Sequence, residues 1–107
     1  LKQDGIKESF YEYDWNQTPD EVKDYSLDWS KDIGSDTIPN NASSTWFVSP
    51  SSASVTATSI NNGTLATVWI SGGVVGQVYQ VKNCIVTAAG RELTKVFRLL
   101  VVANNYL

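Results

Sequence analysis

The sequence predicts an all-β sandwich. Three observations carry the prediction. Short apolar/polar alternations of period two recur from residue 23 onward, β-branched residues run through them, and Gly, Pro and Asn clusters separate them at short spacing. No segment of comparable length keeps a helical period.

The elements follow in chain order. Residues 1–19 form an extended arm, with the aromatic run Phe10-Tyr11-Glu12-Tyr13-Asp14-Trp15 ahead of the breaker Gln17-Thr18-Pro19. Tyr11, Tyr13 and Trp15 share one strand parity. Asp20-Glu21-Val22 has room for one helical turn. Asp20, Asp24, Asp28 and Asp32 recur every four residues, but like charges at that spacing repel on a helix. Tyr25, Leu27 and Trp29 alternate with Asp24, Ser26, Asp28 and Ser30, so residues 23–30 read as a half-buried strand.

Residues 35–64 hold 13 Ser and Thr, and Pro39, Pro50 and Asn61-Asn62-Gly63 divide them into short strands at 45–48 and 54–59. Asn-Gly favours a tight hairpin turn because both residues tolerate positive φ. A strand from Thr64 to Ile70 follows. After Ser71-Gly72-Gly73, a long strand spans Gln77 to Thr87, Ala88-Ala89-Gly90-Arg91 turns it, and a last strand spans Glu92 to Val102. Leu93, Phe97, Leu99 and Val101 share one face of it with Lys95. Six or seven short strands without a convincing helix describe an immunoglobulin-like sandwich, with a small closed barrel as the alternative. The expected division is an arm at 1–19, a sandwich at 20–102 and a tail at 103–107.

The totals limit the chemistry. The 107 residues make one domain, with 42% hydrophobic and 18% charged residues. Histidine is absent, which removes the usual general base and the commonest metal ligand. With one cysteine, Cys84, neither an intrachain disulfide nor a structural zinc site is expected. Cys84 reads as a small core residue. On one strand Asp24 and Asp28 lie roughly 13 Å apart, at 3.3 Å per residue, too far to share a calcium ion. The expectation is therefore a non-enzyme with no catalytic, cofactor-binding or metal-binding residues. No stretch has the length and apolarity of a membrane span or of a signal peptide, and the first residue, Leu1, suggests a trimmed or processed chain.

Charge is polarised along the chain. Residues 1–36 hold ten carboxylates against four Lys, a net −6. Residues 37–107 hold Lys82, Arg91, Lys95 and Arg98 against Glu92, a net +3. The acidic third is either a solvated entry segment or the complement of a basic surface on another copy or partner. Without a basic cluster to neutralise phosphates, nucleic acid is not an expected partner.

The order of motifs resembles a known family. The run Thr18-Pro19-Asp20-Glu21-Val22-Lys23-Asp24-Tyr25-Ser26-Leu27-Asp28-Trp29-Ser30 comes first, then Asp36-Thr37-Ile38 and Ser44-Thr45-Trp46. Val68-Trp69-Ile70-Ser71-Gly72-Gly73, Gly76-Gln77-Val78-Tyr79-Gln80-Val81-Lys82-Asn83, Gly90-Arg91 and Phe97-Arg98-Leu99 follow. Together, over residues 18–102, they resemble the short neck and head structural proteins of tailed bacteriophages described as fibre–tail adaptors. The resemblance implies an immunoglobulin-like fold, no enzymatic activity, a place in the virion, and assembly in several copies beside other neck, fibre, tail or capsid proteins. It supplies no catalytic residues and does not reach residues 1–17.

Two sets of residues are the candidates for contact. Phe10, Tyr11, Tyr13 and Trp15 precede the first confident strand and need a surface to bury their rings, which either their own sandwich or a neighbouring chain can supply, the latter by strand addition or as a swapped arm. Trp69 and Tyr79 flank the Gly72-Gly73 turn and read either as core or as exposed interface anchors. A second function, a carbohydrate-binding module of a receptor-binding appendage, would use Trp69 and Tyr79 as a stacking platform. Trp29 and Trp46 read as core.

Overall fold

Alternation sets the layers. The computed structural model describes residues 13–103. Among them seven strands form two sheets: β1 (Trp15–Gln17), β2 (Val22–Asp28), β3 (Ser44–Ser49), β4 (Ala53–Asn61), β5 (Leu65–Gly72), β6 (Val78–Val86) and β7 (Glu92–Val101). One sheet has the order β1-β7-β6-β3 and the other β2-β5-β4. All pairings are antiparallel except β1 with β7, where Trp15 lies beside Leu99 and Gln17 beside Val101.

The two long strands β6 and β7 each bury one parity. In β6, Tyr79, Val81, Asn83 and Ile85 point inward while Gln80, Lys82 and Val86 face water. In β7, Phe97, Leu99 and Val101 point inward and Leu93 and Lys95 follow the same parity at the rim. The inner faces make two clusters. One gathers Tyr25, Val68, Ile70, Tyr79, Val81, Phe97, Leu99 and Val101. The other gathers Trp29, Ile33, Ile38, Ala66 and Ile85, and Leu27 and Trp46 pack against both. Trp29 and Trp46 thus lie where core packing was expected.

Three expectations change. The ladder begins at Trp15, ahead of the boundary placed at residue 20, because Trp15–Gln17 pair with the last strand. The chain at Asp20-Glu21-Val22 is not helical: Glu21 N donates to Thr18 O in a tight turn and Val22 already belongs to β2. The helical turn is instead α1 (Ser30–Ile33), which starts where Ser30 N donates to Asp28 Oδ1. Cys84 is half-buried on the outward parity of β6, its Sγ 3.4 Å from Thr94 Oγ1, because β6 turns its odd-numbered residues inward.

The turns follow sequence chemistry. Asn62 and Gly63 both take positive φ, at 54° and 70°, in the connection from β4 to β5. Gly73, at φ 99°, lies so close to the core that a Cβ there would sit 2.7 Å from Val101 Cγ2. The edge strand β4 carries a bulge between Val55 and Ala57, which interrupts a flat pairing edge.

Candidate partner-binding surface

The arm enters the sandwich through a buried amide. Gln17 is fully buried. Its Nε2 donates to Ile70 O at 2.8 Å and Glu21 O at 2.9 Å, and its Oε1 accepts from the Tyr25 hydroxyl at 2.6 Å. Both amide donors are therefore used, and β1 of one sheet is tied to β2 and β5 of the other. Val102 N donates to Gln17 O and continues the β1–β7 ladder. Burial, reinforced by the carboxylates of Glu21 and Asp24, pushes the Tyr25 hydroxyl up to about 12, so it stays a donor.

Trp15 and Tyr13 stand at this entrance. The Trp15 ring lies 5.1 Å from Tyr25 and 4.9 Å edge-on from Phe97, yet stays 39% exposed, and Tyr13 is also exposed. Trp15 therefore covers its own core on one face and offers the other to solvent, between the two surfaces that the sequence reading left open for the arm's rings, its own sandwich and a neighbour. Phe10 and Tyr11 lie outside the described residues. Asp14, between Tyr13 and Trp15, accepts from Arg98 N at 2.7 Å and donates its own N–H to Arg98 O.

The second pair of candidates divides. Trp69, on the central strand of its sheet, faces outward at 39% exposure between Asp24 of β2 and Ala57 of β4. Tyr79 is fully buried, which corrects its reading as a surface contact. Its hydroxyl is hydrogen-bonded to Ser52 Oγ at 2.5 Å and accepts from Val74 N at 2.8 Å, so it pins the corner between β5 and β6. No aromatic platform of Trp69 with Tyr79 is formed. The physical reason is parity: Trp69 shares the outward row of β5, and Tyr79 the inward row of β6.

The outer face of the larger sheet is a surface that sequence reasoning missed. Phe47 of β3, Lys82 of β6 and Val96 of β7 make one cross-strand row, all exposed, with Lys82 Nζ 5.3 Å above the Phe47 ring. The alternation of β3, with Trp46 and Val48 on the core side, held the signal for Phe47. Among the described residues, most carboxylates of the acidic third are committed to local structure. Asp32 Oδ2 pairs with Lys95 at 2.6 Å and Asp36 Oδ2 with Arg91 at 2.7 Å. Hydrogen bonds from the Thr87 hydroxyl, the Thr37 and Ala89 amides and Arg91 hold Asp36 down to about 2. Among the described residues no helix is long and apolar enough to cross a membrane.

A family model described as "Podophage GP4 fiber-tail adaptor protein gp77" matches residues 17–100, most of the chain. No curated protein matches the chain. The match begins at Gln17, the residue that clamps the two sheets, and ends within β7, beside Val101.

Proposed function

The chain belongs to the podophage fibre–tail adaptor family, a structural component of the virion, and from that premise we propose that it is a non-enzymatic adaptor of the neck or head–tail region. It links fibre, tail or capsid proteins and stands in several copies. The observation that carries this reading beyond the family is the entrance of the arm. Gln17 fixes where the arm leaves the sandwich, and the rings of Tyr13 and Trp15 are presented half-exposed at that point. Aromatic side chains held in one orientation lose little entropy on binding and make good interface anchors.

The sandwich is the rigid mount, and its strand order supports an immunoglobulin-like arrangement. Lettered A to G in chain order, the sheets are A-G-F-C and B-E-D. The immunoglobulin pattern joins C, F and G in one sheet and A, B, E and D in the other, and this chain departs from it only in strand A, which lies beside G. Tyr79, at the start of the sixth strand with its hydroxyl bonded five residues back at Val74, fits the tyrosine corner of such domains.

Particles test the reading. Phage carrying Tyr13→Ala with Trp15→Ala should assemble virions depleted of the component the adaptor holds, read as the protein composition of purified particles. Particles with unchanged composition would remove the arm as the gripping element.

A further inference from the structure

Resting on the reading that the arm grips neighbouring subunits, we propose that the open edge of β7 from Glu92 to Val96 receives the arm of a second copy as an added strand. From Glu92 to Leu100 β7 is paired along one side by β6, but β1 covers only Leu99–Val101 on the other. Both backbone groups of Arg98 turn toward the β1 side, since its N–H and C=O bond to Asp14. By the two-residue period of a strand, the backbone groups of Val96 and Thr94 face the same way. No strand among the described residues pairs with them there. An open edge of this kind is a template for strand addition.

Among the described residues, the pairing of the chain's own arm with this edge ends at Asp14. The Val102 N to Gln17 O bond sets the register of the parallel ladder. In that register the Arg98 N–H would next meet the carbonyl of Tyr13. The Asp14 carboxylate takes that N–H instead, at 2.7 Å, and the backbone bends at Asp14. The side chain takes the place of the next ladder bond, and no described residue pairs with the β7 edge beyond it.

Length and charge name the occupant. The stretch Glu8-Ser9-Phe10-Tyr11-Glu12 has five residues, two carboxylates, two rings and no cation. The open edge, Glu92–Val96, is also five residues long. Lys82 is the cross-strand partner of Val96, and Arg98 stands one pleat further on. Neither makes an ion pair among the described residues, and Glu92 lies at the far end of the edge. Phe10 and Tyr11 are adjacent, so one ring of the added strand would lie over the Leu93–Lys95 row that Trp15 begins over Phe97, and the other would lie on the opposite face, beside Val96. Two residues, Tyr13 and Asp14, separate Glu12 from Trp15, three steps with a reach of roughly 10 Å, so the two copies meet side by side at their β1–β7 edges.

Photo-cross-linking in assembled particles tests this. The full chain carries Tyr11→p-benzoylphenylalanine, and the particles mix isotope-labelled and unlabelled copies. Mass spectrometry should place cross-links between copies at residues 92–98. Cross-links between copies at another surface would overturn the edge and leave the arm reading standing. Cross-links confined to one chain would overturn the second copy as occupant, and a lack of any between copies would overturn both. Val96→Pro supplies the companion measurement, because it removes an outward N–H without touching the β6 ladder. It should lower the inter-copy product about tenfold with near-UV circular dichroism unchanged, the effect of roughly one lost hydrogen bond. Full retention of that product would overturn the proposal.

Discussion

The Tyr25 hydroxyl donates to Gln17 Oε1 at 2.6 Å across the interior of the sandwich. The same carboxamide reaches Ile70 O, so one side chain joins three strands in two sheets. Asn83 does equivalent work in the second core cluster: its Oδ1 accepts from Trp29 Nε1 at 3.0 Å and its Nδ2 donates to Ser44 Oγ and Thr45 O. A chain with a single cysteine has no disulfide to join its sheets, and two buried, satisfied amides take that place. Their value lies in satisfaction: a buried polar group costs little when paired and much when orphaned.

Gln17→Ala should therefore destabilise the domain by about 2–4 kcal/mol, the cost of leaving the Tyr25 hydroxyl and the Ile70 carbonyl buried without this partner. Urea titration measures it. Loss of β1 should accompany the loss of stability, seen as faster amide exchange at Val102, whose N–H is held by Gln17 O.

Alkaline pH should act through Tyr25. Its folded value of about 12 lies above the ordinary 10, chiefly through burial. The unfolded chain ionises first, so this contribution is complete below pH 10 and is lost as pH rises from 10 to 12. Tyr25→Phe should be less stable at neutral pH by about 1–2 kcal/mol, through the lost hydrogen bond. It should also show a shallower fall between pH 10 and 12. Thermal unfolding against pH separates the two chains.

Acid should act through Asp36, with the opposite sign. Its value is held at about 2, below the ordinary 3.8, first by the Thr87 hydroxyl and then by Thr37, Arg91 and Ala89. The contribution is present above pH 3.8 and fades as pH falls toward 2. Asp36→Asn should be less stable at pH 7 and converge on the parent near pH 2. The segment after α1 and the β6–β7 turn should loosen together, because Asp36 bonds Thr37 on one side and Ala89 and Arg91 on the other.

Gly73 and Gly76 both have positive φ, at 99° and 91°, but different surroundings. A Cβ at Gly76 meets nothing within 4 Å, whereas one at Gly73 lies 2.7 Å from Val101 Cγ2 and 3.2 Å from Tyr79 Cε2. Gly76→Ala should cost about 1–2 kcal/mol, for backbone conformation alone. Gly73→Ala should cost about 1–3 kcal/mol more, because Val101 and Tyr79 must shift. Chemical denaturation of the two variants gives the difference.

Much of this architecture was written in period-two patterns. The alternation of Tyr25, Leu27 and Trp29 placed β2 on the core, and Leu93 to Val101 gave the inner face of β7. What alternation cannot carry is partnership. Gln17 looked like part of a breaker, since an amide reads as polar until its three partners are brought from 4 to 53 residues away. Tyr79 and Trp69 looked alike in sequence, and only the parity of two different strands put one inside and one out. The arm's rings were visible as a need for a surface. That Trp15 would find half of it on Tyr25 and Phe97 depended on β1 pairing with the last strand, a contact that joins opposite ends of the chain.

Trp29 and Trp46 offer a direct measure of what the buried amides contribute. Trp29 Nε1 donates to Asn83 Oδ1, and Lys95 Nζ sits 4.6 Å over its ring. Trp46 Nε1 is buried with no hydrogen-bond partner among the described residues. Replacing either indole by Phe removes the same atoms. Trp29→Phe additionally orphans Asn83 Oδ1 in the core, while Trp46→Phe removes a donor that was already orphaned. Trp29→Phe should therefore be the more costly, by about 1–3 kcal/mol, in paired urea titrations. Equal costs would mean that the Asn83 bridge adds nothing to stability and that packing alone holds the second core cluster together.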